Sequence, residues 1–358
     1  MTLRKTVINA SSSWTDAAAP ETDVVVSSRI RVARNLADRP FPHLLSVEEA
    51  QQIIDQVQQV MDSTEAYAGG ERFTLIKMEE LTPVERQILV EKHLISPQLL
   101  EHYEKKAVVL RDDELVSVMV NEEDHLRIQS LMPGLQLAEA WGLVNSVDDW
   151  LEKYITYAFS EQLGYLTTCP TNVGTGLRAS VMVHLPGLVL AGQLRGVLIT
   201  VAKLGLTARG LYGEGTEATG NLFQISNQIT LGHSEEDIIN NLFLVTRQLM
   251  AQERTAREAL FSERREQLED KVGRAYGLLR HARLITAEEA MRLLSDLRLG
   301  VYLDLTKAIS SQLVTELMLL SRPAFLAKMS GQDMNMFQLN LQRASLIRQK
   351  FADISGGE

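Results

Sequence analysis

Apolar and polar positions along the chain follow two different periods, and the change from one to the other divides it. Ala50, Ile53, Ile54, Val57 and Met61 recur at helical spacing behind Ser46-Val47-Glu48-Glu49, a capping-box start. Thr82-Pro83-Val84-Glu85 opens a second helix in the same way. Phe73 to Met78, Ala107 to Leu110 and Glu114 to Val120 are short, rich in β-branched or large apolar residues, and bounded by turn residues, which predicts strands. Arg178 to Leu185 alternates between Gly176 and Pro186 and predicts another strand, whereas Asp148 to Leu163 and Gln193 to Leu206 predict helices. Residues 1–22 lack apolar periodicity and read as a flexible terminus, with order expected from about Asp23.

After Ser234-Glu235-Glu236-Asp237, an N-cap with acids in the first turn, the pattern becomes amphipathic helix through about Arg283 with few strand signals. Thr286 to Arg298, Leu305 to Leu320 and Met336 to Phe351 continue it, with a break at Ser321-Arg322-Pro323. The expected organisation is a mixed α and β domain over 23–250 and a helical domain over 251–358, with no internal repeat.

Composition narrows the function classes. A formal net charge of −10 over 358 residues argues against a general nucleic-acid or membrane-surface binder, so any anion site is local. A single cysteine excludes an internal disulfide, and the first residues lack a signal peptide's apolar core, so a cytoplasmic location is expected. The longest apolar stretch, Leu185 to Val201, is interrupted by Gln193 and Arg195, which argues against a membrane span. His43, His102, His233 and His281 have no motif around them, and nothing has zinc-ligand spacing, so no protein-held metal is expected.

Four blocks carry the candidate chemistry: Ser27-Ser28-Arg29-Ile30-Arg31, the run Asn121-Glu122-Glu123-Asp124-His125-Leu126-Arg127, the stretch from Cys169 to Arg178, and Arg209-Gly210-Leu211-Tyr212-Gly213-Glu214-Gly215. In an extended chain the side-chain period of two places Arg29 and Arg31 on one face. The same period would align Glu123, His125 and Arg127 and send Glu122 and Asp124 to the other side. Guanidinium groups match phosphate oxygens bidentately, so Arg29, Arg31, Arg127, Arg178 and Arg209 suit a triphosphate. Taken singly, each arginine reads as a salt bridge, the acids as a solvated turn, Cys169 as a small buried hydrophobe and the glycines as turn residues. Within four blocks the functional reading prevails. No P-loop, His-Arg-Asp or Asp-Phe-Gly motif occurs.

Together the blocks resemble the phosphagen (guanidino) kinase family over roughly residues 23–250. The resemblance implies an α+β, glutamine-synthetase-like catalytic domain with a largely antiparallel sheet flanked by helices, followed here by an all-helical C-terminal domain. It implies ATP as co-substrate, with Mg2+ bound to the nucleotide, and phosphorylation of a guanidino nitrogen. Matched by motif, the nucleotide-contacting residues are Ser27, Ser28, Arg29, Ile30, Arg31, Arg127, Arg178, Ala179, Ser180, Val181, Met182, Arg209, Gly210, Leu211, Tyr212 and Gly213. His93 in Glu91-Lys92-His93-Leu94 resembles the family's nucleotide-contacting histidine. Glu123 and Glu214 resemble the two carboxylates that clamp the guanidinium, and Cys169 the thiolate beside it. A guanidinium with a pKa above about 12 is a poor nucleophile until a nitrogen lone pair is freed, so one carboxylate must take a proton, and Glu123 is the first choice.

Family members that act on small guanidino compounds carry an all-helical domain before the Ser-Ser-Arg block, where this chain has 26 residues. The appended helical region gives it a layout similar to the bacterial protein-arginine kinases, which implies an exposed arginine of a protein as acceptor. A kinase for a free guanidino compound and a catalytically inactive adaptor are the alternatives. The resemblance further implies a stress response that marks proteins for degradation, a heat-shock repressor as substrate, a zinc-binding activator, a Clp-type protease and a homodimer. The acidic charge balance, in turn, argues against direct contact with nucleic acid or membrane. The related kinases carry Arg-Asp-x-x-Arg-Ala in their last helical region, implicated in phosphoarginine binding. Leu339-Asn340-Leu341-Gln342-Arg343-Ala344 lacks that cation and carboxylate, so phosphoarginine feedback is not expected here.

Overall fold

A computed structural model describes residues 12–62, 70–210, 218–306, 309–331 and 334–355. Eight strands form one sheet, in the order β2 (Phe73–Lys77), β3 (Ala107–Arg111), β4 (Val116–Val120), β5 (Leu126–Pro133), β1 (Val25–Arg34), β8 (Leu177–His184), β10 (Leu222–Asn227) and β9 (Leu206–Gly210). Every neighbouring pair is antiparallel. A separate hairpin pairs β6 (Phe159–Ser160) with β7 (Gly164–Tyr165).

Alternation along the central strands gives the sheet two unlike faces. Ile30 and Val32 of β1, Ile128 of β5, Ala179 and Val181 of β8 and Ile225 of β10 are buried on one of them. They pack with α1 (Val47–Met61), α3 (Leu137–Glu152) and α6 (Glu235–Glu263), whose Ile54, Val144 and Leu242 belong to the same core. The other face carries the odd-numbered arginines of β1 and stays polar at its centre. Capping boxes close the N-termini of α1 at Ser46, of α2 (Pro83–Glu91) at Thr82 and of α6 at Ser234.

Beyond α4 (Pro186–Leu190) and α5 (Leu194–Lys203), the chain ends in α7 (Arg265–His281), α8 (Ala287–Tyr302), α9 (Ser311–Leu320), α10 (Pro323–Ser330) and α11 (Met336–Ser355). Their core, including Leu294, Leu317, Phe325 and Ile347, is continuous with Trp14, Ile88 and Leu131 of the sheet region. Helix α10 packs on α2. Glu91, the last residue of α2, accepts hydrogen bonds from the amides of Ala324 (3.0 Å) and Phe325 (3.3 Å), which caps α10 across the junction. Lys328 and Glu85 pair at 2.8 Å beside it.

Several expectations are corrected. The helix read over Asp148 to Leu163 is only the end of α3 and gives way to the β6–β7 hairpin. One long helix to Arg283 is instead α6 and α7, broken at Arg264. Residues 305–310 precede α9 instead of forming its first turns. Within the segment read as loose, Trp14 is buried and its indole nitrogen donates to the Lys92 carbonyl at 2.8 Å.

Candidate active site

Strand register assembles the cations. Arg31 lies opposite Arg178 of β8 and Gln129 of β5, and Arg29 lies opposite Ser180 and Leu131. Arg127 is two residues further along, opposite Ala33, and Arg209 faces Gln224 across β9 and β10. All five guanidinium groups line one cavity of 1020 Å³. Its wall also includes Glu91, His93, Ser96, Glu122 and Glu123, while Arg322 and Pro323 bring in the helical region.

Electrostatically the cavity is set for an anion. Desolvation, reinforced by Arg127, Arg29 and Arg178, pushes the Arg31 pKa well below its usual value. Arg178 is lowered too, by desolvation and by Arg209 and Arg127. The Nε groups of Arg31 and Arg178 are buried without a hydrogen-bond partner among the described residues. Arg29 is steadied by Gln224 Oε1 at 3.0 Å and Ser180 Oγ at 3.4 Å. Arginine does not give up its proton in proteins, and Glu122 and Glu123 offset the repulsion only in part, so the cavity suits a polyanion. Desolvation, with Arg29 and Arg322 adding to it, lowers His93 to about 3 and keeps its imidazole neutral.

At one end of the array stand two carboxylates with different surroundings. Against the desolvation that would raise it, Arg127 and Ser96 hold Glu122 below the usual carboxylate range; its Oε2 lies 2.6 Å from Arg127. Glu123 is raised by desolvation and by the charge of Asp124. Asp124 itself is buried, and its Oδ1 accepts from Asn35 Nδ2 at 2.6 Å and from the Thr168 amide at 2.7 Å. That bond ties the acidic bend to the segment carrying Cys169. The thiol is half-buried, 3.1 Å from Thr171 Oγ1.

Two placements differ from the two-residue alternation assumed for the acidic block. Residues 121–125 form bends and β5 starts only at Leu126, so Glu122 and Glu123 both line the cavity. His125 is wholly buried, held by the Leu36 amide at 3.1 Å and facing the Pro40 carbonyl at 2.9 Å, so it buttresses the bend away from the cavity. Ile30, Ala179 and Val181 sit in the apolar core, and the Ser28 hydroxyl donates to the Gly134 carbonyl. Of the expected nucleotide stretches, register therefore puts Ser27, Arg29, Arg31, Arg178, Ser180 and Met182 on the cavity side of the sheet, and Gly210 ends β9. Leu211, Tyr212, Gly213 and Glu214 lie outside the described residues. Glu122, Gln224 and Arg322 were missed as wall residues; only Glu122 lay within a motif, and the other two have no local signal.

Comparison with known proteins identifies the family. Residues 52–256 match the family described as ATP:guanido phosphotransferase, C-terminal catalytic domain, and residues 265–358 match the protein-arginine kinase McsB C-terminal domain. A protein-arginine kinase of Pelotomaculum thermopropionicum is 60% identical over 356 residues, 99% of both chains. The chain belongs to the protein-arginine kinase family. Another member, from Desulforamulus reducens, is 57% identical over 99% of both chains. Among solved structures, the duplicated taurocyamine kinase of Schistosoma mansoni with bound transition state analog components superposes with a TM-score of 0.58 at 26% identity, over 69% of this chain. The match spans about a third of that duplicated kinase, 35%. Lombricine kinase shares the fold, with a TM-score of 0.55 at 23% identity over 68% of this chain and 71% of its own. Among the described residues no helix is long and apolar enough to cross a membrane.

Proposed function

We propose that this chain transfers the γ-phosphoryl group of ATP to a guanidino nitrogen of arginine side chains in proteins. The observation that carries the reading is the five-arginine face ending at Glu122 and Glu123 within one cavity, in a chain 60% identical to a protein-arginine kinase. The nucleotide's phosphates would lie along Arg29, Arg31, Arg178, Arg127 and Arg209, with the γ-phosphate at the Arg127 end. Glu123, made more basic by desolvation, orients the acceptor guanidinium and takes its proton as the nitrogen attacks phosphorus and the bond to the β-phosphate oxygen breaks. Glu122 stays anionic on Arg127 and fixes that guanidinium for the transferred group. Cys169 and Glu214 complete the acceptor's surroundings by family resemblance.

Among the described residues no cluster of three or more His, Cys, Asp or Glu side chains is placed to hold a metal. By family resemblance, magnesium would be held through the nucleotide phosphates and would supply charge neutralisation there. Action in a stress response, on a heat-shock repressor and ahead of a Clp-type protease, with a zinc-binding activator and a homodimeric state, rests on the family alone, as does a cytoplasmic location. The test is transfer of acid-labile phosphate from Mg-ATP to an unstructured arginine-rich protein, run beside free arginine. Labelling confined to protein supports the reading; labelling of free arginine makes the chain a small-guanidino kinase, and ATP binding without transfer makes it an adaptor.

A further inference from the structure

The cationic array has a direction. Arg127 stands level with Ala33 of β1, beside Glu122 and Glu123, and Arg29 stands four residues back along that strand. At about 3.4 Å per residue the two levels are roughly 14 Å apart. Arg322 lines the same cavity, and its charge acts with that of Arg29 on His93, which puts it toward the Arg29 end. It does not come from the sheet. It is the N-cap of α10, where Ser321 and Pro323 end one helix and begin the next, and its backbone position is fixed from both sides. Glu91 caps the Ala324 and Phe325 amides, and Arg343 of α11 donates to the Ser321 carbonyl at 2.8 Å.

We propose that Arg322 is a nucleotide-binding residue, by which the helical region completes the end of the ATP site farthest from the transferred phosphate. The inference rests on the ATP-dependent reading above. A cation at this level contacts the α-phosphate or the ribose end of the nucleotide, so it contributes to holding ATP and little to the chemical step at the Arg127 end.

The experiment measures Mg-ATP affinity at equilibrium and steady-state phosphorylation of a protein acceptor for the full chain, Arg322→Gln and Arg322→Lys. Arg322→Gln should raise the Kd and KM for ATP roughly tenfold or more, with kcat at saturating ATP, KM for the acceptor and the melting temperature close to those of the parent. Arg322→Lys should recover part of the affinity, since it keeps the charge and loses the fork. An unchanged ATP Kd in Arg322→Gln overturns the inference and leaves the kinase reading standing. So does a joint fall in ATP affinity, acceptor affinity and melting temperature that lysine does not rescue, which marks a structural N-cap. A parent chain that binds no Mg-ATP overturns both.

Discussion

Glu122 and Glu123 are chain neighbours with opposite shifts, and that difference separates their work. Glu122 is anchored by Arg127, while Glu123 is raised toward the range where a carboxylate can take a proton. Glu123→Gln should lower kcat by roughly 10²- to 10⁴-fold and leave Mg-ATP affinity nearly unchanged, read by single-turnover transfer and nucleotide titration. Because the base works unprotonated, kcat of the parent should fall as pH drops through its raised pKa, and the residual rate of the variant should lack that acid limb. His125 makes a different prediction. Desolvation, opposed by the Pro40 carbonyl, lowers it to about 4, so the unfolded chain takes up its proton first as pH falls. Its contribution is complete above about 6.5 and is lost between there and 4, a change of roughly 3 kcal/mol. Urea melts should show that slope, and His125→Asn should flatten it while costing about 1 to 3 kcal/mol at pH 8. The arginines were legible because they sit in contiguous motifs. Assigning His125 to the cavity failed because a bend, stabilised by distant Asn35 and Pro40, was read with strand periodicity.

At the scale of elements, the cavity depends on how β8 enters the sheet beside β1. Arg34 at the end of β1 is buried on Asp148 at 2.6 Å, stacks on Tyr165 at 3.5 Å, and donates to the Thr175 carbonyl at 2.9 Å. Gly176 then turns with φ +66°, and a Cβ there would lie 2.7 Å from both the Ala33 carbonyl oxygen and Arg34 Nη1. Gly176→Ala should therefore cost about 1 to 3 kcal/mol in thermal melts and, by displacing Arg178, weaken ATP binding. Retained stability and retained binding together would show that the entry is not held this way. Elements with local signals were readable, among them the capped helices α1, α2 and α6 and the alternating β8. Those set by tertiary contact were not. Residues 153–163 carry helix-compatible apolar spacing, yet Arg34 and Tyr157 draw them into the hairpin and end α3 at Glu152. On α11, Arg343 is buried on the Ser321 and Ile285 carbonyls and on Asn340 Oδ1, so its guanidinium serves the helix junction.

For the whole molecule, sheet and helical regions share both a hydrophobic cluster and a cavity. Trp14, Ile88, Leu131 and Leu222 pack among the terminal helices, and Arg322 reaches the cavity whose floor is the sheet. On the proposed reading, a nucleotide held there would relieve the repulsion among the guanidinium groups and bridge the two regions at once. Mg-ATP at about 100 times its Kd should stabilise the folded chain by roughly 2.7 kcal/mol. Were the regions independent, calorimetry would show two transitions with only the one belonging to the sheet moving upward. The shared cluster and the Glu91 cap predict one transition that moves as a unit, with hydrogen-exchange protection gained in α2 and α10 as well as in β1. Arg322→Gln should keep the single transition and shrink its shift, because the junction remains packed while part of the nucleotide's hold on it is removed. Protection confined to β1 and β8, with α10 unaffected by nucleotide, would show that the helical region lies beside the ATP site without taking part in it.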